Sequence, residues 1–577
     1  MCSIIFKATF LILVITDLLL AANVPIVTTK NGKLRGTATF ATDLPDKPVY
    51  SFLGVPYATP PEGELRFQAP RPAQSWSDER DATRYGPHCA QDIDLLFSKF
   101  YPVKPPHNAT SEDCLYLNIF TPTLEAQGNG LPVLVWFHGG GLSFGTGALY
   151  PGTALSAQQD LVVVTVNYRL GPFGFLSTGD SHAPGNYGLL DQVEALKWVR
   201  DNILSFGGDP GAVTIAGQFG GGASVSYHLL SQASSGLFRR AISQSGVATS
   251  FPHAEYVKPH NEFMSQAKVL GCKRHGKKTE QILECLRSKE SEDFVKSRKG
   301  EILARCLPGT DGTFLKDSPR NLLKKGEFTK VDYLLGMNSA EFGHVLPSLM
   351  STEFGKGKSL KEVTTILIGY ANILYGGAPR MLEMHEELKK EYLSDLSRDP
   401  REVEKVFTDL QSDTLFIAPT TDMADRLAAA GVNVYLYEFR HRLSLHRWGA
   451  KSSGAEHGDE LPLLFGVPFL AFTDPNNVGN ELTFTEEESR LSLDMMAYWA
   501  NFVRTGDPSN PAGAPDTGSR DLPSWPGYTP DVTAYLKLDV TSSADVGLRR
   551  RQVTLWNKIL PEMADDVTQD KDSKDEL

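Results

Sequence analysis

Cysteine is scarce in this chain, six among 577 residues, which excludes the disulfide-dense framework on which small secreted domains depend. Basic charge is not in excess either. With 57 Lys and Arg against 69 Asp and Glu, the net charge is -12, so a general affinity for nucleic acid or anionic lipid is not expected. Beyond the first 22 residues no run approaches the ~20 apolar residues needed to cross a bilayer, and no transmembrane anchor is expected. No Pro/Ser/Gly-rich linker divides the stretch from Cys89 to His457, and internal repeats are missing as well. A length of 577 residues would suggest several domains, but at 41% hydrophobic and 10% aromatic the chain reads as one large domain over residues 23–560. No cofactor and no metal is implied by any cluster or motif.

The two ends carry addresses. Residues 1–22 hold one basic residue, Lys7, then an apolar core from Ala8 to Ile15 and the small pair Ala21-Ala22, the pattern of a signal peptide. An acidic, polar tail over 561–577 closes on Lys574-Asp575-Glu576-Leu577, a KDEL signal read by a retention receptor. Together they predict residence in the endoplasmic reticulum lumen, with the KDEL receptor as a partner. Cys2 leaves with the leader, so Cys89, Cys114, Cys272, Cys285 and Cys306 remain, an odd number. Asn108-Ala109-Thr110 is a glycosylation acceptor, expected on the surface of a luminal protein. The cluster Lys273-Arg274-His275-Gly276-Lys277-Lys278 reads as a solvated loop.

Short β-branched runs alternate with longer helical patterns. Leu161 to Val166, Val213 to Ala216 and Val432 to Phe439 read as strands; Leu189 to Phe206, the segment after Gly221, and Glu488 to Thr505 read as helices, the last ended by Gly506-Asp507-Pro508. Such alternation predicts an α/β fold with a central, mostly parallel sheet and helices on both faces. Asn510 to Tyr528, rich in Pro and Gly, reads as a surface connection.

The most telling absence is a single side chain. Val213-Thr214-Ile215-Ala216 leads into Gly217-Gln218-Phe219-Gly220-Gly221, and a helical pattern leaves it, the strand, tight turn, helix context of a nucleophile elbow. The position for the nucleophile holds Phe219, whose ring has no atom a neighbouring base could activate. The partners of such an elbow are nevertheless present. His138-Gly139-Gly140-Gly141 follows the apolar run Leu131 to Val135, as in a turn that aims backbone amides at a developing oxyanion. Glu341-Phe342-Gly343 and His457-Gly458-Asp459-Glu460-Leu461 follow in the chain order elbow, acid, histidine.

On these motifs, with Ser111-Glu112-Asp113-Cys114-Leu115-Tyr116-Leu117-Asn118, Asn167-Tyr168-Arg169-Leu170-Gly171 and Phe206-Gly207-Gly208-Asp209-Pro210, the chain resembles the type-B carboxylesterase and cholinesterase family, most closely its liver-type, endoplasmic-reticulum members. The resemblance implies an α/β-hydrolase fold, a Glu341–His457 pair with Phe219 in the serine's place, oxyanion donors at Gly140, Gly141 and Gly220, and a deep, mostly apolar gorge. It pairs Cys89 with Cys114 and Cys272 with Cys285. Cys306 is then left as a buried thiol or an intermolecular partner. The family pattern at the elbow would read Gly-Glu-Ser-Ala-Gly, so Gln218, Phe219 and Gly220 are three adjacent departures. The first cysteine loop holds Phe97, Phe100 and Tyr101 but no Trp, which disfavours a choline-specific site.

The function expected from these residues is that of a catalytically impaired carboxylesterase-like protein binding an apolar small molecule or a luminal protein. The alternatives are a lyase, isomerase or cyclase using His457 and Glu341 without a covalent intermediate, and a residual carboxylic ester hydrolase. Ser224, Ser226 and Ser245 are read as packing hydroxyls, not substitute nucleophiles.

Overall fold

The computed structural model describes residues 24–96, 104–250, 258–273, 276, 278–300, 305–341, 359–394, 396, 399–445, 454–470, 482–515 and 521–565. The expected leader, the rings Phe97, Phe100 and Tyr101, Arg274, His275 and Lys277 of the basic loop, Phe342, Gly343 and the retention signal lie outside these residues.

Among them, eleven strands form one sheet. In chain order they are β1 (Thr37–Ala41), β2 (Leu44–Pro56), β3 (Tyr116–Thr121), β4 (Leu131–Phe137), β5 (Val162–Val166), β6 (Gly208–Gln218), β7 (Arg240–Gln244), β8 (Asp332–Asn338), β9 (Val434–Phe439), β10 (Ala534–Leu538) and β11 (Ser543–Val546). Their spatial order is β11-β10-β9-β8-β7-β6-β4-β5-β3-β2-β1. Strands β4 to β10 run parallel to their neighbours in that order, and the flanking pairings are antiparallel.

Helices α1 (Tyr187–Asn202), α2 (Gly220–Leu230), α5 (Ala418–Ala429) and α6 (Glu486–Thr505) pack on the sheet, while α3 (Leu360–Tyr375) and α4 (Pro400–Ser412) pack on each other away from it. Strand β4 shows how both faces are buried. Val133, Val135 and Phe137 enter one apolar cluster with Leu189, Val193 and Leu196 of α1 and Val225 of α2. Leu134 and Trp136 point the other way, into a cluster with Met495, Trp499 and Phe502 of α6. A side-chain period of two inside an unbroken apolar run is what a central parallel strand requires.

Boundaries moved for local reasons. Helix α6 starts at Glu486, because Thr485 caps it: its hydroxyl accepts from the Glu488 amide at 3.1 Å, and the Glu488 carboxylate accepts from the Thr485 amide at 2.9 Å, a reciprocal capping box. The stretch read as one helix from Leu189 to Phe206 is α1 followed by a tighter 3-10 turn over Ile203–Phe206. At the other end, a helix over Leu560–Asp565 buries Leu560 and Met563, so the tail boundary expected at 561 falls inside an ordered element. Disulfides join Cys89 to Cys114 and Cys272 to Cys285. Cys306 is buried and belongs to neither disulfide. Asn108 is exposed. Among the described residues no helix is long and apolar enough to cross a membrane.

Candidate active site

Parallel strands place their C-terminal ends along one edge of the sheet, and loops leaving that edge are where open α/β sheets gather functional groups. Phe219 sits there, between the end of β6 and the start of α2. Its backbone has φ 52° and ψ -111°, a region that non-glycine residues seldom enter. The turn is held by hydrogen bonds on both sides: the Phe219 amide donates to the Gln244 carbonyl at 2.9 Å, and its carbonyl accepts from the Ala223 amide at 2.8 Å. The elbow geometry thus persists with a bulky residue on it.

Glu341 follows β8 and His457 lies in the loop beyond β9. The two loops are tied by the Ala340 amide donating to the Ala455 carbonyl at 2.9 Å and by the Asn338 side-chain amide donating to the Glu456 carbonyl at 2.6 Å. Glu341 is fully buried and accepts from the Asn338 backbone amide at 2.8 Å. Its other oxygen lies 2.5 Å from Nδ1 of His457. A carboxylate at that distance keeps the proton on Nδ1 and leaves the lone pair of the neutral ring on Nε2.

What meets Nε2 is Gln218. Its side-chain nitrogen lies 2.8 Å away. Phe219 covers the same imidazole edge-on, with ring centroids 4.9 Å apart and an interplanar angle of 86°. Phe416 adds a third ring, 5.3 Å from His457 and 6.0 Å from Phe219. Phe219 is 6% exposed, so the aromatic side chain is packed into the site and does not swing clear of it.

The glycine turn approaches from the end of β4. Gly140 and Gly141 have φ 104° and 58°, and a Cβ on Gly140 would lie 1.9 Å from the Phe144 carbonyl oxygen, so no other residue fits there. A Cβ on Gly220 would lie 3.0 Å from the Leu142 amide nitrogen and 3.4 Å from that of Gly141. The structure therefore brings Gly220 against the Gly141–Leu142 backbone. His138 is buried and stacks on Tyr168 with centroids 4.4 Å apart, and burial lowers its pKa to about 4.

The three serines lie elsewhere in the packing. Ser224 donates to the Gly220 carbonyl at 2.9 Å, and Ser226 to the Ala223 carbonyl at 2.9 Å. Ser245 is fully buried. Among the described residues no group of three or more His, Cys, Asp or Glu is arranged to hold a metal ion.

Three residues at this site escaped the sequence reading. In the sequence Gln218 stands out only as a departure from a pattern, Phe416 carries no signal at all, and Glu460 is only one member of the motif that begins at His457. Glu460 is fully buried, accepts from the Asn338 side chain at 2.7 Å and from Gln244 at 3.2 Å. Burial, reinforced by the nearby Glu341, raises its pKa to about 7. Its place three residues after His457 was the available clue.

An elbow at the end of the parallel strand β6, met by an acid from the loop after β8 and a histidine from the loop after β9, defines an α/β-hydrolase. The chain belongs to the carboxylesterase family, whose model matches residues 23–556. It is 39% identical over 562 residues to carboxylesterase 5A of Canis lupus familiaris, covering 94% of this chain and 90% of that protein. It is 36% identical over 560 residues to cocaine esterase of Homo sapiens, covering 96% and 94%, and 36% identical over 556 residues to liver carboxylesterase 1 of Oryctolagus cuniculus, covering 93% of each.

Proposed function

We propose that this chain is a catalytically impaired member of the carboxylesterase family that acts by binding, taking an apolar small molecule or a luminal protein through the apolar gorge that the family resemblance implies. The observation that carries the reading is Phe219 on the elbow, its ring edge-on to His457 at 4.9 Å. An acyl carbon attacked from the elbow would need the volume the ring fills. Removing a triad nucleophile costs about a millionfold in turnover, or ~8 kcal/mol of barrier. Glu341 and His457 would be the remnant of the triad, and the amides of Gly140, Gly141 and Gly220 the remnant of its oxyanion hole. Fluorophosphonate labelling tests it: no adduct forms on the wild-type protein, and a covalent adduct at the elbow would contradict the reading.

The lyase, isomerase or cyclase alternative rests on the same Glu341–His457 pair, which is in hydrogen-bonding distance. It needs Nε2 to reach a substrate, and the Gln218 amide already meets that atom at 2.8 Å. The binding reading is favoured for that reason.

The protein is proposed to act in the endoplasmic reticulum lumen, on the signal-peptide pattern of residues 1–22, the terminal Lys574-Asp575-Glu576-Leu577, two disulfides and an exposed Asn108 in a sequon. Deleting residues 574–577 is expected to send the protein into the medium. Retention without them would count against the KDEL receptor as its partner.

A further inference from the structure

We propose that Gln218 is a second lock on this site, a positioning residue that holds the lone pair of His457 so that the histidine is silenced independently of the missing serine. The proposal rests on the reading of Phe219 as a lost nucleophile and adds the regulation of its base. The geometry is a chain of three groups. The Glu341 carboxylate sits at 2.5 Å from Nδ1, and the Gln218 side-chain nitrogen sits at 2.8 Å from Nε2. With the ring proton on Nδ1, Nε2 can only accept, and an amide N–H is a donor that fits it. A carboxylate in the same place could not donate to that lone pair.

The amide is buried on the glycine-turn side. A Cβ built on Gly139 would lie 2.5 Å from Oε1 of Gln218, so the oxygen lies against a backbone position where only glycine leaves room. Gln218 is 4% exposed, and its backbone is in register with Gln244 across the sheet. The nitrogen faces the imidazole, the one arrangement in which the amide donates to the Nε2 lone pair. A general base acts only by taking up a proton on an available lone pair, and here that lone pair is already engaged. Among the described residues, the titratable groups facing His457 include Glu341 on Nδ1 and, behind it, Glu460.

The consequence is that restoring the serine alone does not restore the base. In Phe219→Ser the new hydroxyl competes with Gln218 for Nε2, and one neutral hydrogen bond sets the handicap at between about two-fold and ten-fold. The test compares Phe219→Ser with Phe219→Ser/Gln218→Leu, reading the rate of fluorophosphonate labelling at residue 219. The double variant is expected to label about two to ten times faster. Equal rates would overturn the lock.

A second measurement needs no serine. In Phe219→Ala, with and without Gln218→Leu, the rate of carbethoxylation of His457 by diethyl pyrocarbonate at one fixed pH is followed by peptide mass spectrometry, with the exposed His182 as internal reference. Loss of the amide uncovers Nε2 and is expected to raise that rate about two- to ten-fold, a rise that a merely space-filling glutamine, matched in bulk by leucine, would not produce. An unchanged rate overturns the proposal. Ester turnover by the wild-type chain at rates typical of an intact triad would instead contradict the proposed function, and the carbethoxylation pair would still decide the lock.

Discussion

Replacing Phe219 by alanine and by glycine separates what the ring contributes from what the turn costs. At φ 52° and ψ -111° a side-chain-bearing residue is strained by on the order of 1–3 kcal/mol, and the surroundings enforce it. The two hydrogen bonds to Gln244 and Ala223 fix the peptide groups, and a Cβ on Gly246 would lie 2.6 Å from the Phe219 carbonyl oxygen. Phe219→Ala removes the ring from its contacts with His457 and Phe416 and keeps the strain, at a cost of about 3–5 kcal/mol. Phe219→Gly loses the same ring but releases the strain, less the ~0.5–1 kcal/mol that glycine's greater freedom in the unfolded chain takes back. The glycine variant is therefore expected to be the more stable of the two by about 0.5–2 kcal/mol, the reverse of the ordinary order. Urea unfolding of both variants, with midpoints and slopes compared, measures the difference. An alanine variant equal to or more stable than the glycine variant would refute the claim that a strained elbow has been kept on a residue without chemistry.

Glu460 predicts a pH dependence. Its carboxyl, raised from 4.5 to about 7 by burial, holds a proton in the folded protein across a window where the unfolded chain has released it, so stability falls as pH rises from about 4.5 to 7 and the full cost, up to about 3 kcal/mol, is present above that window. Glu460→Gln is expected to flatten the fall, read from unfolding midpoints at pH 5 and pH 8. His457→Ala should destabilise by about 1–3 kcal/mol, since the buried Glu341 carboxylate loses its imidazole partner, without changing the background rate on simple esters; a drop in that rate would reveal surviving catalysis. Arg169→Met should cost about 3–5 kcal/mol, because Arg169 contacts both oxygens of the fully buried Asp191 at 2.8 and 2.7 Å and its loss strands a buried charge. Pairing it with Asp191→Leu should recover part of that in the same unfolding assay.

The parallel core was legible where a central strand is an apolar, β-branched run, as in Val162–Val166, whereas Arg240–Gln244, with Arg, Ser and Gln in five residues, carries no such signal; α6 announces itself with acidic residues at its start and Gly506 at its end. The edge strands Thr37–Ala41 and Leu44–Pro56 were not. Most of their side chains are only half-buried or exposed, and Asp46, Lys47 and Pro48 break the alternation that would mark them. Helices α3 and α4 pack with Trp556 and Leu560 in clusters of their own, away from the sheet, where no motif drew attention. At the site, the identity of every motif residue could be read, whereas the approach of Gln218 to His457 could not. It joins residues 239 positions apart, and nothing in local pattern fixes where a glutamine amide ends.

Turnover of a short-chain acyl ester by the purified mature protein, followed together with intact mass after fluorophosphonate treatment, reaches the central claim most directly. The expected result is a rate at the uncatalysed background, no burst and no added mass. Hydrolysis at the rate of an intact triad, abolished by His457→Ala, would contradict it.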